Sequence, residues 1–415
     1  MGLLVKKQNN YRNNSFLKTA FCIFLAVYPV LCIYTGFYKF TIGDLGLMVF
    51  TVLGLLPPPR QDKRIVPVAI FLLTTIFIFF LNLFVFRTMS GWAVSSYVFR
   101  LIKLCFYLGA AFLCGKKFFD TETFTKAVIA VGFVAALYMF FQYFAFYGLG
   151  RVYMGHLPGL EIYIEAYSQE DYETLYKNVF RPCSIFLEPA MYVQYMIVPT
   201  TLALFSQRLR VIPKAVIVGV FSISMLMSTS AQGVVYLAIL FFIYAFIGSK
   251  KKINLIIFVF VVLIAVIGSY LLLEPFRFAV DRLLFGEKAL EARIGAYQYV
   301  LDMPFAFNIV GFGYGVVPVE EYMAGAAYVL YGCGIIGFLL AANMFWSFFI
   351  NARSKAARVI CIIFFVMFFV TSLFYNYMLF WFATIITCLE NRRHYRYRYY
   401  YDYEYEHENE YGKED

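Results

Sequence analysis

Apolar runs of about 15–25 residues recur along the whole chain, each closed by a short cluster of charged or polar residues. A helix needs about 20 residues to cross ~30 Å of hydrocarbon, and these runs have that length without the strict alternation of membrane β-strands. The pattern predicts spans near 15–35, 40–57, 65–86, 95–115, 124–147, 186–206, 213–229, 232–248, 253–273, 324–349, 359–374 and 377–390. The expected fold is therefore an all-α polytopic membrane protein of about twelve transmembrane helices. Two connections stand out as long, about 148–185 and 275–323, and these are expected to be the extracytoplasmic loops that carry function.

Composition agrees: 62% of residues are hydrophobic and only 14% charged, which leaves too little polar surface to solvate a water-soluble domain. The basic residues alternate by loop. Lys6, Lys7 and Arg12, then Arg60, Lys63 and Arg64, then Lys116 and Lys117, and on through Arg208 to Lys214, Lys250 to Lys252, Arg353 to Arg358 and Arg392 to Arg398 fall on one side. That side is cytoplasmic by the positive-inside rule, so both termini are expected inside. Topology accounts for most of the +10 net charge, and nucleic acid is not an expected partner. The basic start followed by an apolar run resembles an uncleaved signal anchor.

The eight cysteines are scattered without CxxC spacing and read as small core residues, while His156, His394 and His407 lie too far apart to predict a metal site. No cofactor is expected. The segment from Asn391 to Asp415 is Tyr-rich, basic near the membrane and acidic beyond; it reads as a disordered cytoplasmic tail following a membrane domain of residues 1–390.

Chemistry concentrates where loops meet spans. The stretch FRPCSIFLEPAMYVQ, Phe180 to Gln194, sets Arg181 and Glu188 around the start of a membrane helix, whose exposed amides favour anions. A charge at such a boundary costs roughly 2.5–3.5 kcal/mol on entering hydrocarbon, so it needs a partner or a task. Glu188 is either a general base or the ion-pair partner of Arg181. Arg293 opens the stretch RIGAYQYV that leads to Gly311, Gly313 and Gly315 with Tyr314 between them. That turn either brings backbone to a ligand or is a plain re-entrant turn. Arg100 and Lys103 share one face of the fourth span, roughly 7–12 Å below its outer end, and Lys103 is expected to face a polar cavity. Gln232, in the break STSAQG, either hydrogen-bonds a sugar or caps a turn. Tyr163, Tyr167, Tyr172 and Tyr176 could stack on sugar rings.

With these residues in hand, the chain resembles the Wzy-type O-antigen and capsular polysaccharide polymerases, within the superfamily that also holds the O-antigen ligases. The resemblance rests on FRPCSIFLEPAMYVQY, on STSAQG, on RIGAYQYV followed by GFGYG, on YVLYGCGIIGFLL, and on the order of spans, loops and the terminal pair around Tyr375, Tyr377 and Trp381. It implies a metal-independent, inverting glycosyltransferase of the bacterial inner membrane, acting at its outer face on polyprenyl-diphosphate-linked oligosaccharide in polysaccharide (capsule or exopolysaccharide) biosynthesis. Arg181 and Arg293 would match the loop arginines that hold the diphosphate, Glu188 the acidic position of the first motif, and Arg100, Lys103, Gln232, Gly313 and Tyr314 would contribute to binding substrate. The implied partners are the lipid-linked oligosaccharide, membrane lipids and a chain-length regulator. The ligases carry a histidine before their GIIG-like segment, where this chain has Tyr322 to Tyr328 with none; that departure favours polymerase over ligase. A transporter would show paired halves, and residues 1–200 and 201–400 show no internal repeat.

The charge asymmetry generates a direct test. Alkaline phosphatase fused after Lys177 or Lys288 is expected to be active, and inactivity at both positions would reverse the assignment of faces.

Overall fold

The computed structural model describes residues 2–55, 62–89, 93–157, 159–163, 182–248, 270, 277, 295–318, 323–372, 374 and 376–390, with backbone alone over 2–15 and 247–248. The described chain is mostly helical. In order it runs α1 (Gly2–Leu31), β1 (Thr35–Phe37), β2 (Phe40–Thr41), α2 (Ile42–Gly54), α3 (Ile65–Leu81) ending in a π-helical turn (Asn82–Phe86), α4 (Val94–Phe118), α5 (Thr121–Leu149), α6 (Pro189–Phe205), α7 (Val211–Met227), α8 (Ala231–Gly248), α9 (Phe305–Val310), α10 (Gly325–Ile350), α11 (Lys355–Val370) and α12 (Met378–Cys388). Among the described residues, four stretches are long and apolar enough to cross a membrane: Ile65–Phe86, Val94–Phe118, Thr121–Leu149 and Gly325–Ile350. This is consistent with a membrane protein. Every expected span other than 253–273 overlaps a helix; that one, apart from Tyr270, lies outside the described residues, as do nearly half of the second long loop and the Tyr-rich tail, while α9 falls within that loop.

Exposed Leu73, Phe77, Phe84, Leu137 and Leu339 cover the flanks of these helices, while the interior is also apolar, so hydrophobicity alone cannot tell inside from outside. Specific polar contacts between helices do that instead. Pro29 has no amide to offer Leu25, one turn back in α1, and the freed Leu25 carbonyl accepts a 2.9 Å hydrogen bond from Trp381 Nε1 of α12. Tyr195 of α6 donates to the neighbouring Ala26 carbonyl at 2.9 Å, and its ring stacks on Trp381 at 5.2 Å. One proline thus fixes three helices against one another.

A second interruption organises the other side of the bundle. Gly334 breaks α10 with φ 62° and ψ −167°, and the carbonyls of Tyr331 and Gly332 turn to the amides of Phe312 and Gly313 at 2.9 and 2.8 Å. The glycine-rich turn after α9 is therefore a re-entrant segment docked two turns into α10, roughly 10 Å from its start at 1.5 Å per residue. Its own carbonyls are met by side chains: Asn82 Nδ2 reaches Gly311 O at 3.2 Å, Thr88 Oγ1 reaches Phe312 O at 3.1 Å and Arg100 Nη1 reaches Gly315 O at 2.8 Å. Irregular backbone at this depth persists only where it is satisfied in this way.

At the opposite end, Asp62 in the α2–α3 connection accepts from Arg64 Nη2 at 2.7 Å and pairs with Lys116 of α4. Arg64 also reaches Asn351 O at 3.4 Å and Lys116 reaches Thr387 O at 3.0 Å, so the ends of α4, α10 and α12 are tied to one carboxylate. Burial would raise the Asp62 carboxyl, but the hydrogen bonds from Arg64 and Lys116 outweigh it and hold the group well below the usual carboxylate range.

The re-entrant turn makes a sharp prediction. Gly311 has φ 73°, and a Cβ there would fall inside the Gly332 backbone. Gly311→Ala should cost about 3 kcal/mol or more, from steric overlap plus backbone strain, seen as a lower melting temperature of the detergent-solubilised protein. An unchanged melting temperature would mean that the turn does not dock on α10.

Candidate functional site

A polar cluster gathers where α2, α4, α6 and α12 begin, and its centre is Asp44. Thr41 and Asp44 form a capping box at the start of α2: Thr41 Oγ1 accepts from the Asp44 amide and Asp44 Oδ2 from the Thr41 amide, both at 3.1 Å. The carboxylate is 0% exposed, yet its other oxygen accepts from Tyr107 Oη at 3.0 Å and Tyr28 Oη at 3.3 Å. Three donors leave little of its hydrogen-bonding capacity unused.

Lys103 of α4 supplies the countercharge. Its Nζ lies 3.9 Å from Asp44 Oδ2, and only 8% of the residue is exposed. Coulomb attraction at that distance is ~4 kcal/mol for an effective dielectric near 20, much of which desolvation consumes. The ammonium donates one hydrogen bond, to Tyr163 Oη at 3.3 Å, and faces the rings of Tyr163, Phe99 and Phe40 at 5.0, 5.1 and 5.9 Å. Of its three protons, two have no hydrogen-bond acceptor within reach among the described residues. Tyr163 is itself pinned, because Glu161 and Tyr163 join the chain at the β1–β2 hairpin through Thr35 N to Glu161 O at 2.9 Å and Tyr163 N to Ile33 O at 2.7 Å.

Glu188 belongs to the same neighbourhood. It is the N-cap of α6, extended at φ −135° and ψ 148°, with Pro189 at the first helical position and its own side chain exposed rather than capping. Tyr377, at the start of α12, feels the charges of both Glu188 and Asp44; its ring meets Tyr28 edge-on at 6.2 Å and its hydroxyl lies 3.7 Å from Met191 Sδ. Tyr377 thus stands within electrostatic range of both Glu188 and Asp44, and it packs on Tyr28, which donates to the Asp44 carboxylate paired with Lys103. Nothing in their separations along the chain announces that meeting.

Other expected site residues fall nearby with different partners. Arg100 stands one turn from Lys103 and holds the re-entrant turn through Gly315 O. Gly313 donates to Gly332 O, and Tyr314 is fully buried with its ring at 5.2 Å and 89° to Tyr328. These two are packed into the α10 seam. Gln232 is buried and accepts from Gln194 Nε2 of α6 at 2.9 Å, while Gly233 N closes the turn on Ser230 O. Arg181 and Arg293, together with Tyr167, Tyr172 and Tyr176, lie outside the described residues.

Asp44, Tyr28 and Tyr107 carry this site, yet none was singled out from sequence. The Thr41-x-x-Asp44 capping pattern inside an apolar run was the available clue: an acid that both caps a helix and lies beyond the membrane boundary invites a search for its cation. The eight cysteines are free and mostly buried, and among the described residues no three metal-ligating side chains come together.

No protein-family model matches the chain, and no curated protein shows significant similarity to it. Function must therefore be argued from the site.

The ion pair predicts a coupling. Asp44→Asn keeps the shape but strands a buried ammonium, and should cost about 3–5 kcal/mol. Adding Lys103→Met to that variant should recover most of the loss in melting temperature. Simple additivity of the two substitutions would show that the pair does not interact.

Proposed function

We propose that this chain is an oligosaccharide repeat-unit polymerase of the bacterial inner (cytoplasmic) membrane, with about twelve spans, both termini inside and its chemistry at the outer face. The observation that carries the reading is the convergence of Glu188 and Lys103, singled out from separate spans, on one cluster at one end of the bundle around a buried carboxylate. The resemblance to Wzy-type polymerases supplies the reaction, and the charge inventory fits it.

In that reaction a hydroxyl of one lipid-linked repeat unit attacks the anomeric carbon of a glycan held on a second polyprenyl diphosphate. The new C–O bond forms on the face opposite the departing diphosphate, which leaves with the electron pair of the broken bond, so the anomeric centre inverts. Two developments need help: negative charge on the leaving phosphate and a proton on the attacking hydroxyl. Arg181 and Arg293 take the first role, because a guanidinium matches phosphate geometry and stays charged. Glu188 takes the proton: the residue is solvent-exposed, and its place at a helix start lets α6 position it without using the carboxylate as a cap. Arg100 and Lys103 bind the substrate from the α4 side. Because Asp44 already balances Lys103, the diphosphate is held by the arginines.

Arg181→Ala and Arg293→Ala are expected to abolish polymer in cells at near-normal protein abundance, with Arg→Lys recovering only part of it. Glu188→Gln is expected to slow polymerisation at least ~100-fold while lipid-linked substrate still binds. Near-normal polymerisation by a well-expressed Glu188→Gln protein would remove Glu188 as the base, and full activity in either alanine variant would remove that arginine from the site.

A further inference from the structure

The β1–β2 hairpin places Tyr38 at the mouth of the Lys103 cluster, in a conformation that costs energy. Its φ of 55° is a left-handed value that a bulky aromatic residue rarely adopts, yet the ring is 71% exposed. The exposed ring meets Phe99 edge-on at 6.1 Å, Phe99 meets Phe40 at 4.9 Å, and both face the Lys103 ammonium. An aromatic path therefore leads from Tyr38 to a nine-tenths buried cation, two of whose protons meet no hydrogen-bond acceptor among the described residues.

We infer that this path is a glycan subsite, in which an uncharged, hydroxyl-rich sugar ring lays its C–H face on Tyr38 and Phe99 and directs a hydroxyl to Lys103. The inference rests on the polymerase reading and deepens it by assigning Lys103 to the sugar rather than to the diphosphate. Charge decides between the two ligands. Asp44 neutralises Lys103 within the buried pair, and Lys39 stands at the rim, over the Tyr38 and Phe99 rings at 5.9 and 5.7 Å and donating to Ser96 Oγ at 3.0 Å; a neutral hydroxyl drawn in to Lys103 leaves the buried pair balanced, whereas a phosphate drawn in that far would set its charge beside the buried Asp44 carboxylate. Aromatic faces around a hydrogen-bond donor suit a ligand that is apolar on one face and polar at its edge, as a pyranose is. Asp44 acts here as a positioning residue, holding the ammonium in place.

The test uses the full-length protein in lipid nanodiscs with two probes: the lipid-linked oligosaccharide that accumulates in cells lacking this protein, and bare polyprenyl diphosphate. Tyr38→Gly removes the ring and relieves the strained backbone, so it is expected to fold at least as well as the parent. Lys103→Met is paired with Lys103→Arg, which keeps charge and donors. Tyr38→Gly and Lys103→Met should each raise the apparent KM for the glycan-bearing lipid about tenfold with little change in kcat, the size of one lost contact. Lys103→Arg should recover part of the loss, and binding of bare polyprenyl diphosphate should stay unchanged in all three. Equal weakening toward both probes would assign Lys103 to the diphosphate and overturn the subsite. An unchanged KM in Tyr38→Gly, with less of the protein in the membrane fraction, would assign that ring to the lipid interface and overturn it too. Parent protein that binds the glycan-bearing lipid without elongating it would refute the polymerase reading while keeping the subsite; parent protein that binds neither probe would refute both.

Discussion

A helix that breaks away from water must find a partner for every amide and carbonyl it frees, and that demand shapes this protein more than apolar packing does. Where lipid and core are equally apolar, burial discriminates weakly between arrangements, whereas one unsatisfied peptide group costs several kcal/mol. Pro29 in α1 and Gly334 in α10 each free carbonyls, and each is answered from another part of the chain: Trp381 for the first, the Phe312–Gly313 backbone for the second. The two interruptions thereby dictate where α12, α9 and the re-entrant turn can sit. Arg100 follows from the same demand. Its guanidinium satisfies Gly315 O, and its place on α4 sets Lys103 one turn further in.

Asp44 poses the electrostatic version of that problem. A carboxylate without solvent exposure is sustainable only with donors on both oxygens and a cation near by: α1 contributes Tyr28, the cap of α2 the Thr41 amide, and α4 both Tyr107 and Lys103. Such a pair is weak evidence for stability, since an apolar replacement of equal shape often does as well. Its consequence is geometric. The pair fixes an ammonium between aromatic rings, two of its protons without a hydrogen-bond acceptor among the described residues, at the end of the bundle where Glu188 is the N-cap residue of α6.

The positions of the helices were legible in the sequence, because runs of apolar residues closed by charges leave little freedom in where a helix starts. Thr121 after Asp120, Pro189 after Glu188 and Lys355 after Ser354 each begin a helix at a recognisable boundary. Partnership was not legible. Lys103 and Gln232 are legible as polar residues in apolar surroundings, but their partners, Asp44 and Gln194, lie on other helices, and no local pattern encodes which helices touch. Asp44 gives no such signal: its capping box accounts for the acid locally and hides its second task. Gly313 and Tyr314 illustrate the reverse: a glycine-rich turn reads equally as a ligand loop or a plain re-entrant turn, and the engagement of its amides and carbonyls with α10, Asn82, Thr88 and Arg100 is visible only in the fold.

The most direct measurement is reconstitution of the purified full-length protein in liposomes with lipid-linked repeat units as the sole glycan. The account predicts a ladder of products that grows by whole repeat units and forms without lipid A or any other acceptor. Absence of a ladder in the presence of intact protein and substrate, or transfer of glycan only when lipid A is supplied, would contradict it.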